Sequence, residues 1–142
     1  MTIADLQNFV TLTKLHPILV NFTAALVPVS VACDAASLYR KEKSLQNTAW
    51  WTLLFAVLIT PFTALTGWLF WMKDDNGVSG MAVHRWLGTA LVFLLGGLFL
   101  WRRSIHRRGG WASPGYLAAG LVTVILLGIQ GHLGGTQTYS GM

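Results

Sequence analysis

Residues 47–72 read NTAWWTLLFAVLITPFTALTGWLFWM, 26 consecutive positions without a charged side chain. At about 1.5 Å of helix rise per residue, such a run outspans the roughly 30 Å of hydrocarbon that about 20 residues cross. Three further apolar runs, 16–38, 81–101 and 113–134, are long enough to do the same. Lipid offers backbone N–H and C=O groups no partner, so each run must satisfy its own as a helix. The connections are short, which predicts an all-α, up-down four-helix membrane bundle, one domain over 1–142 with sequential helices antiparallel.

Composition points the same way. Apolar residues make up 54% of the chain and charged ones 11%, against about a quarter charged in an average globular protein. That leaves too little polar surface for a soluble domain. The net charge of +5 raises nucleic acid as a partner, but seven of the ten Lys and Arg residues fall in two clusters between apolar runs. These are Arg40-Lys41-Lys43 and Arg102-Arg103-Arg107-Arg108, read as loops. Basic loops mark the cytoplasmic side and suit anionic headgroups. Lipid is therefore the expected partner and nucleic acid is not. The acidic connection around Asp74 and Asp75, together with both termini, is expected outside the cytoplasm.

Finer features fit a tight bundle. Pro17 suits a first helical turn, while Pro28 and Pro61 are expected to bend their helices. Ala32 with Ala36, Gly96-Gly97 and Ala118-Ala119-Gly120 offer close helix approach. The seven tryptophans lie near run ends, as interfacial anchors do. Residues 2–14 read as a short amphipathic interfacial helix with a Thr2/Asp5 capping box, or alternatively as a tail without fixed structure. They lack the pattern of a secretory signal peptide. Cys33 is alone, so no internal disulfide forms. Asp34 is expected to be buried, pairing with Arg40 or capping locally, with a proton relay as the alternative. No convincing internal repeat emerges from the letters.

The histidines carry the functional signal. His16 opens the first run, His84 lies about one turn into the third, and His132 falls about one turn from the end of the fourth. In an up-down bundle all three reach one membrane level on the outer side, where the second helix adds Thr66-Gly67-Trp68. His106 instead belongs with the arginines as part of a solvated basic patch. Any one histidine near a helix end usually satisfies its own hydrogen bonds; three at one level suggest a shared ligand. Gly88 follows His84 by four residues and Gly128 precedes His132 by four, so each glycine shares its histidine's face and would leave room for a flat macrocycle. Helix packing is the plain alternative.

Neutral imidazole suits haem iron, zinc and copper. The expected ligand is haem b held between two histidines, His84 with His16 or His132, and the diagonal placement of the first and third helices favours His16. Such a protein would carry electrons, with quinone as a candidate partner. His132 would then act through a ligand or handle protons, and Arg85 would pair with a haem propionate or snorkel. Zinc or copper on His16, His84 and His132 is the alternative, as is a membrane subunit without enzymatic activity. No Cys-x-x-Cys-His motif is present for covalent haem.

The chain resembles the bacterial domain of unknown function 2231 family along nearly its whole length. The resemblance rests on His16-Pro17-Ile18-Leu19-Val20-Asn21-Phe22, Thr66-Gly67, His84-Arg85-Trp86-Leu87-Gly88, and Gly131-His132-Leu133-Gly134-Gly135 followed by Tyr139. It implies a four-helix protein of the bacterial inner membrane. Some relatives are joined to Rieske or cytochrome c domains, which implies a redox partner of that kind. Many relatives have histidine where this chain has Asn21, so the resemblance implies one haem here rather than two.

The charge distribution makes a prediction about topology. Ala4→Cys and Ser140→Cys, each made in a Cys33→Ser background, should react with a membrane-impermeant thiol reagent in intact cells. Labelling only after lysis would invert the orientation.

Overall fold

The computed structural model describes residues 2–73 and 79–139, with side chains over 2–70 and 82–136. The acidic connection around Asp74 and Asp75 and the side chains of Trp71 and Tyr139 lie outside the described residues. Among these described residues five helices follow in order: α1 (Ile3–Leu12), α2 (Leu15–Arg40), α3 (Lys43–Lys73), α4 (Ser79–Arg107) and α5 (Pro114–Tyr139). Four of them, α2 to α5, are long and apolar enough to cross a membrane. Most of their large apolar side chains, such as Phe55, Phe62, Phe93 and Ile125, face outward, as a lipid solvent permits.

The short segment before the first span is helical. Thr2 Oγ1 accepts from the Asp5 amide at 3.2 Å, and the Asp5 carboxylate accepts from the Thr2 amide at 2.7 Å, closing the expected capping box. The Thr2 amide and hydroxyl together hold the Asp5 carboxyl below its ordinary pKa. Val10 is the buried anchor of α1. Lys14 then adopts a left-handed conformation (φ 49°) that turns the chain into α2. Helices α2 and α3 run unbroken through Pro28 and Pro61.

Packing runs around a square: α2 meets α3 and α5, and α4 meets α3 and α5, leaving α2 diagonal to α4. The core is Val27, Leu53, Ala56, Leu95, Leu98, Ala112 and Tyr116. Of the small residues expected to bring helices together, Gly120 does so: an added Cβ would stand 2.9 Å from Val31 Cγ2. Gly96 and Gly97 do not, since a Cβ on either would meet nothing within 4 Å, and Ala32 is exposed.

The basic cluster 102–108 is not a loop. α4 extends through Arg107, a turn and a half beyond the apolar run, and carries Arg102 inward. Arg102 Nε donates to Asp34 Oδ2 and Nη2 to Oδ1, both at 2.8 Å, with neither side chain more than 1% exposed. Nη2 also reaches the Gln46 carbonyl at 3.3 Å. Asp34 therefore pairs across the bundle with Arg102 rather than with exposed Arg40. A carboxylate at this depth needs a full complement of donors, and the planar guanidinium fork supplies two at once.

This pair also exposes a repeat that the letters conceal. Asp34 and Arg102 are 68 positions apart, and so are His16 and His84. At the same spacing Thr23, Val27 and Ser30 of α2 answer to Leu91, Leu95 and Leu98 of α4, and all six are buried. With one residue fewer, Ala49, Leu53 and Ala56 of α3 answer to Tyr116, Gly120 and Thr123 of α5, again all buried. The buried register of the α2–α3 hairpin thus recurs in the α4–α5 hairpin. The inward registers match while the residue sizes are exchanged, small against large, which lets both copies fill one core.

Replacing Arg102 alone by Met should leave a buried carboxylate unpartnered and cost about 3–5 kcal/mol. The double variant Asp34→Leu/Arg102→Met should recover most of that loss. Thermal unfolding in detergent micelles measures both.

Candidate functional site

At the end of the bundle opposite the Asp34–Arg102 pair, two histidines meet. His16 sits in the first turn of α2, just after the Lys14 turn. Its Nδ1 lies 3.0 Å from the Thr63 carbonyl and 3.3 Å from Thr66 Oγ1, and Thr66 Oγ1 itself donates to that carbonyl at 2.9 Å. A carbonyl can only accept, so in the neutral ring Nδ1 carries the proton and Nε2 keeps its lone pair. The imidazole rests on Gly67, where a Cβ would come within 2.8 Å of Cε1.

His84, in the first turns of α4, repeats this arrangement on α5. Its Nδ1 lies 3.1 Å from the Gln130 carbonyl, and a Cβ on Gly134 would stand 2.8 Å from its Cε1. Each imidazole thus binds a main-chain carbonyl and covers a glycine one turn further along the same helix. Thr63 and Gly67 on α3 correspond to Gln130 and Gly134 on α5. The two rings come together across the diagonal, centroids 6.4 Å apart and planes at 88°.

The other expected site residues fall elsewhere. His132 is exposed. It lies two residues from both Gln130 and Gly134, and at 100° per residue that turns it to the opposite face of α5. Gly128, sharing the His132 face, is likewise exposed, and a Cβ there would meet nothing within 4 Å. Gly88 does share the inner face with His84, but the Gln130 carboxamide fills its space: a Cβ would be 2.8 Å from Gln130 Nε2. The expected glycine cradle for a macrocycle is therefore not formed by Gly88 and Gly128, and the glycines beneath the imidazoles are Gly67 and Gly134. The Arg85 guanidinium lies over the Trp68 ring at 4.5 Å. His106 is exposed among the arginines, as expected, and stacks on Trp50 at 4.6 Å.

Among the described residues no group of three or more His, Cys, Asp or Glu side chains could hold a metal ion. Three histidines do not assemble; two do. Gln130 was not among the expected site residues, although the one amide of the apolar run 113–134, one turn before Gly134, is a readable signal for an inward polar contact.

A family described as "Predicted membrane protein (DUF2231)" matches residues 13–141. No curated protein and no solved structure matches the chain.

The docking glycines can be tested directly. Gly67→Ala and Gly134→Ala should each push an imidazole off its carbonyl and destabilise the protein by about 1–3 kcal/mol. Gly97→Ala, which meets open space, should be neutral or stabilising by up to about 1 kcal/mol. Thermal unfolding, with the His16 and His84 ring resonances as local reporters, reads all three.

Proposed function

The chain belongs to the DUF2231 family of predicted membrane proteins, and from that premise we propose that it is a b-type haem electron-transfer protein of the bacterial inner membrane. His16 and His84 would hold the haem. The observation that carries this reading is the pairing of two imidazoles that each give Nδ1–H to a carbonyl, at 3.0 and 3.1 Å. Histidines that ligate metals are held in that way, which fixes the ring and raises the basicity of Nε2.

Their separation supports the same ligand. With metal–nitrogen bonds of about 2.0–2.1 Å, each ring centre lies about 3.2 Å from the metal, so two opposed imidazoles stand roughly 6.4 Å apart. The ring centroids are 6.4 Å apart, which equals that span, with the Gln130 carboxamide 3.4 Å from His84 Nε2. A tetrahedral ion would draw them closer, to about 5 Å, and needs four ligands. Haem needs only two from the protein, because the porphyrin supplies the rest. The absence of a three-ligand cluster among the described residues favours haem over zinc or copper for this reason.

When bound, haem supplies one-electron chemistry at a potential set by its ligands and their hydrogen bonds. The residues of the chain do the rest. The Thr63 and Gln130 carbonyls orient the imidazoles, Gly67 and Gly134 let them seat, and Arg85, over Trp68, offers a cation for a propionate. With both termini outside the cytoplasm, the pair lies near the outer membrane face. There quinone, or a Rieske or cytochrome c protein, would exchange electrons with it.

Protein expressed with ample haem should show a Soret band that shifts on reduction. His16→Ala and His84→Ala should each lose it or become high-spin, whereas His132→Ala and His106→Ala should leave it in place. Wild-type protein without Soret absorption would end the haem reading; stoichiometric zinc or copper in its place would favour the alternative.

A further inference from the structure

The two histidine half-sites share a main-chain carbonyl and a glycine but differ in their side-chain contacts: Thr66 Oγ1 lies 3.3 Å from His16 Nδ1, where α5 has Leu133. The carbonyl that holds His16 belongs to Thr63, whose hydroxyl donates down its own helix to Ile59 at 3.2 Å. The carbonyl that holds His84 belongs to Gln130, whose side chain folds back onto the ring it serves. Gln130 Nε2 donates to the His84 carbonyl at 2.9 Å and lies 3.4 Å from His84 Nε2. Because Nδ1 carries the ring proton, that contact runs from the amide N–H into the Nε2 lone pair. Gly88 makes it possible by leaving the space that a side chain would fill.

The carboxamide is held at a cost. Gln130 Oε1 is buried without a hydrogen-bond partner among the described residues, and a buried acceptor left unpaired costs about 1–3 kcal/mol. Flipping the amide gives no relief, since it would aim Oε1 at the His84 carbonyl. The conformation is therefore one that the side chain can leave for any arrangement that gives Oε1 a donor. His16 Nε2 has no such cover among the described residues. In register the half-sites are copies; in chemistry, among the described residues, one lone pair is open and the other is masked.

We propose that Gln130 is a displaceable cap on His84. His16 is then the standing ligand, and the opposite coordination position is contested between His84 and a small exogenous ligand such as carbon monoxide, nitric oxide or imidazole. The coordination half of this proposal rests on the paired-histidine reading above; the cap itself does not. Gln130 is accordingly a positioning residue, acting through His84.

Two measurements on the full chain in detergent separate these layers. Diethyl pyrocarbonate acylates an imidazole nitrogen through a free lone pair, so on haem-free, metal-free protein it should modify His16 several-fold faster than His84, resolved by peptide mass. Gln130→Met keeps bulk over Gly88 but has no N–H. It should raise the His84 rate to that of His16 and leave His16 unchanged. Equal rates in the wild type, or a His84 rate unmoved by Gln130→Met, would overturn the cap whether or not haem binds. In ferrous haem-loaded protein, the wild type should bind carbon monoxide about tenfold more tightly than Gln130→Met, a difference of about 1.4 kcal/mol. Equal affinities would overturn the contested position. Absence of haem from both proteins would instead strike the proposed function, and the acylation result would still decide the cap.

Discussion

A carboxylate and a guanidinium buried at membrane depth cannot stand apart, and the architecture follows from holding Asp34 against Arg102. The two residues sit on diagonal helices, so their contact can close only if both hairpins keep one register and one separation. Lipid contributes no hydrophobic force between helices, which leaves packing and polar contacts to decide how they meet. The ion pair penalises sliding steeply, because a slip of one residue turns one partner away and leaves the other charge unpaired in an apolar core. The same register, carried along the helices to the far end of the bundle, brings His16 opposite His84.

The site is built from main chain as much as from side chains. Among the described residues no carboxylate holds either imidazole; each is held by a carbonyl whose residue is set by helix register alone. Glycine is required at 67 and 134 because the ring must approach the helix closely to reach a carbonyl one turn back. The result is a pair of oriented imidazoles positioned by main chain, in a region where a bare carboxylate would be costly.

Hydropathy made the fold legible, because lipid leaves the backbone a single option over any long apolar run. The level of the histidines was legible for the same reason, since depth along a helix is counted in residues. Direction was harder to read. On α5 both faces offered a glycine and a polar residue at helical spacing: Gly128 with His132 on one, Gln130 with Gly134 on the other. The more reactive side chain, His132, lies on the face that turns outward. Arg102 was hidden by its company among Arg103, Arg107 and Arg108, where inward and outward arginines look alike until helix phase is fixed by a partner such as Asp34. The repeat was hidden because what it conserves is buried position and not residue type; Ser30 and Leu98 share a role in register while sharing nothing in chemistry.

That repeat bears on how such a chain enters a membrane. Each copy is a pair of spans that leaves the bilayer on the side where it entered. A second copy joined in tandem therefore inserts in the same sense as the first, with no need to reverse the charge bias of its connections. A unit with an odd number of spans would be inverted by duplication and would have to evolve an opposite bias before both copies could fold. Two-span units are free of that barrier. They can double in a single genetic event, and afterwards diverge at facing positions, an acid on one copy and a base on the other, until neither half closes its core without its twin.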